Sequence, residues 1–339
     1  MKILLVSPKG GAFYYIIRGY KNALEHIGHE VEFWNGQKES FDEFQPDIYI
    51  GCSGWKQAAP RDLIKKFGTK LVMHANPYGN NPLKIVANGP DINEPEDTIT
   101  WVKSQNPDLI FGYGYKSDLN RYWSGWYQEA GINVCMAPPA GDCFSFYEVE
   151  PDPKFRCDLA FVGGRWKYKA HNLDKYIVPL TKQYDIRIYG WGGWNGVGKT
   201  YGKINDSDVL KLFSSAKIGP CVHEPHTAVY GIDVPERIFK VPLCGLMAVS
   251  DPSSSLHQYF PKSIMPMAGN PKEYRDLIDY YLKNDSERKE ITLKQKAHVI
   301  KNHTYLSRIA SIFAGLSMRD EVIKAHNYID DLKGKHGIN

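Results

Sequence analysis

Residues 193 to 200, GWNGVGKT, carry residue types that bind nucleoside triphosphates, and at a suitable spacing. They match the phosphate-loop pattern G-x-x-x-x-G-K-[ST], in which backbone N–H groups surround the phosphates and the lysine adds a positive charge. In a true phosphate loop the lysine begins a helix, because the phosphates lie on the helix N-terminus. Here Lys199-Thr200 is followed by YGKIND, which is poor helix material. We interpret the motif as a glycine-rich loop and keep a P-loop NTPase as an alternative.

Two other short motifs have the composition of metal sites. Asp206 and Asp208 form a D-x-D pair, and hard divalent cations prefer carboxylate oxygens. Capping of the helix that follows, with Asp206 or Ser207 as N-cap, accounts for the same residues more simply. His223 and His226 are close together, but the proline between them excludes the helical H-E-x-x-H geometry of zinc proteases. We therefore expect no metal site in either motif.

The segments that position these residues follow a repeated strand–turn–helix pattern. An apolar run at 3–6 ends in the glycine turn Gly10-Gly11, and a helical pattern then leads to a strand at 31–34. Such a βαβ unit predicts a parallel, doubly wound sheet. Further strands of the first half are predicted at 47–51, 70–74, 109–112 and 133–136, with a helix over 60–67.

The pattern restarts in the second half of the chain. A strand at 158–162 runs into Gly163-Gly164, and later strands are predicted at 185–189, 216–219 and 246–249. The helices predicted here lie at 274–282, 287–301 and 317–332. We predict two Rossmann-like domains, 1–150 and 151–315, and a C-terminal helix at 316–339 that packs back on the N-terminal domain. Ligands in open α/β sheets bind beyond the carboxyl ends of the strands, so both glycine turns should face a cleft.

The composition is typical of a globular protein and does not identify a binding partner. Of 339 residues 42% are apolar and 24% are charged, as in ordinary globular proteins, and the net charge of +4 permits an anionic partner without requiring one. The six cysteines show no C-x-x-C pair, which argues against a zinc site and for reduced thiols. The N-terminal apolar run is too short for a signal peptide, and no stretch approaches a membrane span. We expect a soluble, cytoplasmic protein.

Several motifs from Asp158 onward follow one another in a familiar order: VGGRWKY, DIRIYGWGGW, LFSSAKIGPCVH, VPERIFKVPLCGLMAVSD and HTYLSRI. In this part the chain resembles the donor-binding half of the CgeB-like, spore-maturation type glycosyltransferases of the GT-B superfamily. The N-terminal half matches more loosely, through MKILLVSPKGG and VCMAPPAGDCFSFY. The resemblance implies the GT-B fold and transfer of a sugar from a nucleoside-diphosphate sugar, UDP-linked, to an acceptor hydroxyl. It implies no metal and no cofactor beyond this co-substrate.

The resemblance also implies which residues bind the donor. Gly163 and Gly164 would let the backbone approach the diphosphate, Arg165 would form a bidentate contact to its oxygens, and Lys167 would add a charge nearby. The other donor-binding candidates are Gly10, Gly11, Gly190, Trp191, Lys217, His223, Tyr230, Gly231, Glu236 and Arg237. The family glutamate that holds the ribose is replaced by Lys240, for which Glu236 could compensate. This departure keeps a catalytically silent sugar-nucleotide or glycan-binding module as a second alternative.

The acceptor side is less defined by the sequence. An inverting enzyme needs a base for the acceptor hydroxyl, for which His74 in VMHANPYG is the first candidate and Asp142 in PPAGD the second. A retaining enzyme needs no such base, and the sequence does not decide between the two. The N-terminal half contains a group of aromatic residues that can stack on sugars or on an unstacked base: Tyr113, Tyr115, Tyr122, Trp123, Trp126 and Tyr127. A glycan or a modified DNA base are possible acceptors, and lipid-linked glycans or proteins fit equally well.

Overall fold

A computed structural model describes residues 1–7, 10–52, 58, 60–74, 96–113, 126–194, 196–225, 227 and 234–338. The chain divides into two compact units. The first comprises residues 1–140 and 305–334, and the second comprises residues 141–304 and 335–339. In the part of the chain that is described, no helix combines the length and the apolar character needed to cross a membrane.

The first unit is built on a six-stranded parallel sheet in the order β2-β1-β3-β4-β5-β6. The strands are β1 (Lys2–Val6), β2 (Glu30–Trp34), β3 (Ile48–Cys52), β4 (Lys70–His74), β5 (Leu109–Gly112) and β6 (Asn133–Met136). The central strands β3 and β5 are buried along their whole length, as expected for a parallel sheet covered by helices on both faces.

The helices of the N-terminal part are α1 (Ala12–His26), α2 (Lys38–Phe44), α3 (Arg61–Phe67), α4 (Glu96–Gln105) and α5 (Trp126–Glu129). Helix α1 forms because apolar residues recur at helical spacing and bury one face, among them Ile16, Tyr20 and Leu24. It starts directly after Gly11, whose φ of 69° is a left-handed conformation that favours glycine. The glycine turn after β1 and the start of α1 therefore lie where the sequence predicts them.

The second unit is built on a four-stranded parallel sheet in the order β10-β9-β7-β8. Its strands are β7 (Cys157–Val162), β8 (Ile186–Tyr189), β9 (Ala216–Cys221) and β10 (Met247–Ser250). Its helices are α6 (Lys167–Tyr176), α7 (Asp206–Ser215), α8 (Arg237–Leu243), α9 (Leu256–Tyr259), α10 (Pro271–Lys283) and α11 (Asp285–Asn302), with 3-10 turns at Pro153–Phe155 and Val178–Lys182. Because all strands are parallel, the loops that follow them lie at one edge of the sheet.

Two further helices, α12 (Tyr305–Gly315) and α13 (Arg319–Lys335), end the chain. Helix α12 packs closely on α1, because a Cβ atom on Gly19 would lie 2.2 Å from the ring of Tyr305. The ring centroids of Tyr20 and Tyr305 are 5.0 Å apart, and the Tyr20 hydroxyl donates to the carbonyl oxygen of Ala137. Aromatic packing on α1 thus holds α12 within the first unit, and the hydrogen bond to Ala137 fixes the Tyr20 ring on which it packs.

The prediction of parallel α/β architecture is confirmed. All ten predicted strands are present, and each lies within two residues of its expected position. One detail differs: α7 begins at Asp206, but its N-cap is Asn205, whose side-chain oxygen accepts the N–H of Asp208 at 2.8 Å. The acidic residues of the D-x-D pair therefore lie in the first turn of a helix, where they interact favourably with the helix dipole.

Candidate functional site

The carboxyl edge of the second sheet brings together loops from all four strands. Gly163 to Arg165 follow β7, Gly190-Trp191 follow β8, and His223-Glu224 come just after β9. Asp251 is the first residue after β10. This is the edge at which open α/β sheets bind their ligands.

Backbone hydrogen bonds join the loop after β7 to the end of β8 and the loop that follows it. The N–H of Gly163 donates to the carbonyl oxygen of Tyr189 at 2.8 Å, and the N–H of Arg165 donates to that of Trp191 at 2.9 Å. A Cβ atom on Gly190 would lie 2.1 Å from the carbonyl oxygen of Gly163. Only glycine allows this approach, so the glycines of the two loops serve backbone contact within the protein.

Arg165 is engaged by the protein itself. Its Nε and Nη2 donate to the two carboxylate oxygens of Asp174 at 2.8 and 2.6 Å, and its Nη1 donates to the carbonyl oxygen of Gly193 at 2.5 Å. The side chain is 14% exposed. The bidentate contact that the sequence suggested for a diphosphate is made here with Asp174, which braces the loop after β8 against α6. A contact of Arg165 with the donor stays a prediction.

Arg237, the first residue of α8, is half-buried beneath the loop after β7, with its Nη1 atom fully buried. Its Nη2 donates to the carbonyl oxygen of Val162 at 2.8 Å, and its guanidinium carbon lies 4.2 Å from the ring centroid of Phe161. A Cβ atom on Gly163 would lie 2.5 Å from Nη2, so glycine makes room for the guanidinium. Burial lowers the pKa of Arg237. Nη1 is buried and has no hydrogen-bond partner among the described residues.

Lys169 and Glu224 form a second charged pair close to Arg237. The lysine Nζ lies 2.7 Å from Oε1 of Glu224, and Lys169 is only 9% exposed. Burial lowers the pKa of Lys169, and the negative charge of Glu224 opposes this shift. Oε2 of Glu224 is buried without a hydrogen-bond partner in the described part of the chain. Sequence reasoning missed Lys169, which lies within α6 in WKYK.

His223 is oriented by Asp251. Its Nδ1–H donates to Oδ1 of Asp251 at 2.5 Å, and its backbone N–H donates to the same oxygen at 3.0 Å. Both side chains are buried. In the neutral imidazole this leaves Nε2 as a hydrogen-bond acceptor. Nε2 is buried and has no partner among the described residues.

We define the buried cluster as Lys169, His223, Glu224, Arg237 and Asp251, of which Glu224 and Arg237 are half-buried. It presents three buried polar atoms that have no hydrogen-bond partner among the described residues: a guanidinium donor, a carboxylate acceptor and an imidazole nitrogen. Buried polar groups in proteins nearly always have a partner, because an unpartnered one costs about 1–3 kcal/mol. A ligand that carries both anionic groups and hydroxyl groups would satisfy all three.

Lys217 does not belong to this cluster. It is the second residue of β9 and therefore lies at the amino edge of the sheet, opposite to the loops described above. Its Nζ forms an ion pair with Asp158 at 2.7 Å, near the start of β7. The structure does not bring Lys217 to a donor phosphate.

Glu236 and Lys240 pair with each other one helical turn apart. Nζ of Lys240 lies 3.2 Å from Oε2 of Glu236 and 4.1 Å from the ring centroid of Phe146. The charge of the lysine that replaces the family glutamate is therefore balanced by Glu236, the residue that precedes α8.

Some predicted donor residues cannot be compared with the structure. Tyr230 and Gly231 lie outside the described residues, as does the side chain of Lys167, the first residue of α6. Gly10 and Gly11 lie in the first unit with φ angles of 116° and 69°, and the space around their missing Cβ atoms is open. Their predicted contact with the donor remains a prediction.

His74 ends β4, at the carboxyl edge of the first sheet. It is buried, and its Nδ1 lies 3.4 Å from Sγ of Cys52, its register partner on β3. Aromatic rings surround the imidazole, with the ring centroids of Tyr113 at 4.1 Å and of Phe111 at 5.2 Å. Of the predicted aromatic group only Tyr113 and Tyr127 have described side chains, and Tyr127 is buried.

Asp142 belongs to the predicted N-terminal domain 1–150, which was expected to bind the acceptor, but the structure places it in the second unit. Its Oδ1 accepts the backbone N–H groups of Phe144 at 3.2 Å and Ser145 at 3.3 Å. The carboxylate thus stabilises the turn that follows it. This geometry favours His74 over Asp142 as the candidate base.

The GWNGVGKT segment does not have the structure of a phosphate loop. After β8 the chain forms no helix until α7 begins at Asp206, so Lys199 and Thr200 do not lie at a helix N-terminus. Nζ of Lys199 lies 4.7 Å from the ring centroid of Tyr201, which in turn stacks on Tyr189. In the described residues no group of three or more histidine, cysteine or acidic side chains has the geometry of a metal site.

Comparisons with known proteins agree with this geometry. Residues 162–314 match a family model described as glycosyl transferase-like. No curated protein is similar enough in sequence to match the chain.

Solved structures extend the similarity over nearly the whole chain. A sucrose-phosphate synthase from Thermosynechococcus elongatus is 12% identical with a TM-score of 0.64, covering 94% of this chain and 98% of that one. T4 phage β-glucosyltransferase in complex with UDP-glucose is 11% identical with a TM-score of 0.58, covering 95% and 99%. HepE of Anabaena in complex with UDP and glucose is 12% identical with a TM-score of 0.60, covering 94% and 100%. Residues 162–314, which match the glycosyl transferase-like family model, contain the whole buried cluster, and the chain has the GT-B fold of these solved structures.

Proposed function

We propose that the protein transfers a sugar from a UDP-sugar to an acceptor hydroxyl. The observation that carries this proposal is the buried guanidinium of Arg237, whose unpartnered Nη1 lies at the carboxyl edge of a sheet in the glycosyl transferase-like domain. An anionic diphosphate would supply the missing acceptor. We further propose the CgeB-like type, which the sequence motifs of this domain support.

The buried cluster can support the departure of UDP. In the reaction the bond between the anomeric carbon and the diphosphate oxygen breaks, and the acceptor oxygen bonds to that carbon and loses its proton. Arg237 and Lys169 are fixed positive charges in a water-poor site, where they stabilise the negative charge that develops on the leaving diphosphate. This mode of catalysis works without a metal ion, and we propose it for this enzyme.

For the acceptor side we propose His74 as the base that takes the proton. Its position at the end of β4 is one at which parallel sheets place functional residues. The acceptor itself is proposed to be a hydroxyl of a glycan or of a modified DNA base. The second choice is supported by similarity to a phage enzyme described as a DNA modifying β-glucosyltransferase. Incubation with a radiolabelled UDP-sugar and separate pools of glycan and hydroxymethylated DNA distinguishes the two.

Thermal shift with a panel of nucleotides tests the proposed donor. We expect UDP and UDP-sugars to raise the melting temperature, because a ligand that binds only the folded state stabilises it by mass action. Release of UDP in the presence of an acceptor would separate an enzyme from a silent binding module. Stabilisation by ATP alone, together with ATP hydrolysis, would overturn the proposal in favour of an NTPase.

Replacing Lys199 provides a direct test of the phosphate-loop alternative. Lys199→Ala is expected to bind UDP with wild-type affinity, because the lysine lies over Tyr201 in a loop without a helix N-terminus. Calorimetric titration of UDP and ATP into both proteins measures this. If the variant lost ATP binding that the wild type shows, GWNGVGKT would be a functional phosphate loop.

A further inference from the structure

At the carboxyl edge of the second sheet, the side chains are polar at the β9–β10 end and aromatic at the β8 end. The strand order β10-β9-β7-β8 places Asp251 at one end and Trp191 at the other, with Gly163 between them. Neighbouring strands are about 4.8 Å apart, so this row of four strands spans roughly 14 Å. A nucleotide sugar is an extended molecule of similar length, with a base at one end and a sugar at the other.

The β9–β10 end of the row suits a sugar. The unpartnered atoms there are Nε2 of His223, an acceptor in the neutral ring, and Oε2 of Glu224. Acceptors of this kind bind hydroxyl groups, which a sugar presents on all sides. In the middle of the row, Nη1 of Arg237 is a donor suited to phosphate oxygens.

The β8 end carries a large aromatic ring. Trp191 is 57% exposed, although tryptophan is usually largely buried. Its indole lies against Gly164, where a Cβ atom would be 2.5 Å from the ring atom Cε2. Its carbonyl oxygen accepts the N–H of Arg165, and the Arg165 side chain fixes the next turn through Gly193. The loop is therefore held in place while the ring remains exposed.

The indole and the guanidinium of Arg237 are close enough for one ligand to reach both. Each lies 2.5 Å from the Cβ position of one of two adjacent glycines, Gly163 and Gly164. Because consecutive Cα atoms are about 3.8 Å apart, Nη2 of Arg237 and the indole edge lie within about 12 Å of each other. A diphosphate bound at Arg237 can thus place its nucleoside on Trp191.

Resting on the proposed function, we propose that Trp191 is the stacking platform for the nucleobase of the donor, with the transferred sugar directed toward His223 and Glu224. Every base has an aromatic face, so stacking adds affinity without selecting one base. According to this proposal, the donor lies along the row with its nucleobase at the β8 end and its sugar at the β9–β10 end. The exposed tryptophan then has a ligand, the nucleobase.

Calorimetric titration of UDP, UDP-glucose and inorganic pyrophosphate into the wild type, Trp191→Ala and Trp191→Phe tests this. We expect Trp191→Ala to bind UDP about ten- to hundredfold more weakly, the range that base–aromatic stacking supplies by alanine substitution. Trp191→Phe should keep most of the affinity. Pyrophosphate, which has no base, should bind all three proteins equally, and the ratio of UDP-glucose to UDP affinity should not change.

A matched control is Tyr280→Ala. Tyr280 is 47% exposed and lies on α10 beside Asp279, which accepts the hydroxyl of Tyr184 near the start of β8, at the amino edge of the sheet. This variant should bind UDP like the wild type.

The outcomes separate the two proposals. If the wild type does not bind UDP, the proposed function fails. If it binds UDP and Trp191→Ala binds equally well, the stacking proposal alone fails. Weakened pyrophosphate binding in Trp191→Ala would mean that the ring only supports the loop, and loss of only the added affinity of UDP-glucose would place the sugar on Trp191. Either of these last two results would overturn the proposed orientation of the donor along the sheet edge.

Discussion

Arg237→Met is expected to bind UDP roughly ten- to hundredfold more weakly than the wild type, while its melting temperature stays the same or rises. A hydrogen bond to a charged group contributes about 1.5–3 kcal/mol, and each 1.4 kcal/mol is a factor of ten in affinity. Arg237 makes one hydrogen bond to Val162 and leaves Nη1 unpartnered in a buried position. Burying a charge without a full set of partners costs desolvation free energy, so an apolar side chain of similar length should be tolerated at this position.

Methionine is a better replacement than alanine because the guanidinium packs against Phe161, so Arg237→Ala would remove packing as well as charge. Methionine keeps most of the packing and isolates the loss of the charge. Arg237→Lys should recover only part of the UDP affinity, since a single ammonium cannot reach both Val162 and a phosphate.

Arg288→Met is the matched control for Arg237→Met. Arg288 is also buried, but it is paired with Asp285 and donates to the carbonyl oxygen of Tyr281 at 2.9 Å. Its replacement should lower the melting temperature and leave UDP affinity unchanged. Calorimetry of UDP and thermal melting of both variants give the comparison. Wild-type UDP affinity in a well-folded Arg237→Met protein would exclude the buried cluster as the diphosphate site.

The positions of the strands could be predicted from the sequence because each one is a short apolar run between turn residues. The same information showed that Gly163 follows the end of a strand. Arg237 was proposed only through the family resemblance, because no helix was predicted to start there. The sequence did not reveal Lys169, which looks like any lysine of an exposed helix face. Its burial against Glu224 depends on how α6 packs beside the loop after β9, and this is a property of tertiary structure.

The partners of charged residues are not visible in the sequence. Arg165 and Lys217 are donor-binding candidates through the resemblance, but a charge shows no preference between a ligand and a carboxylate of the protein. In the structure Asp174 and Asp158 are their partners. The sequence also does not indicate Asp251 as the partner of His223, because the two residues are 28 positions apart and meet only when β9 pairs with β10.

Gly190→Ala is expected to destabilise the protein by about 2–6 kcal/mol, through backbone strain and overpacking that each cost about 1–3 kcal/mol. Gly190 has a φ of 143°, and a Cβ atom would lie 2.1 Å from the carbonyl oxygen of Gly163. A backbone atom cannot move aside as the end of a side chain can. For a unit of this size the melting temperature should fall by roughly 4–24 °C, at about 2–4 °C for each kcal/mol.

Substitutions of two other glycines in the same loop distinguish the effect of backbone strain from the effect of overpacking. Gly202 has a φ of 72° with open space around its Cβ position, so Gly202→Ala should cost only the left-handed backbone, about 1–2 kcal/mol. Gly198 has neither a left-handed φ nor a close neighbour. Gly198→Ala should be neutral or slightly stabilising, because alanine lowers the entropy of the unfolded chain.

The same series links the loop contact to function. The Cβ of Gly190→Ala would push against Gly163, and Gly163 lies directly over Nη2 of Arg237. We therefore expect this variant to lose UDP affinity together with stability, whereas Gly198→Ala and Gly202→Ala should keep it. Thermal melting and calorimetry at a temperature where all four proteins are folded measure the two effects separately. Equal UDP affinity across the series would show that the contact between the two loops stabilises the fold without positioning Arg237, and the diphosphate site would then depend on α8 alone.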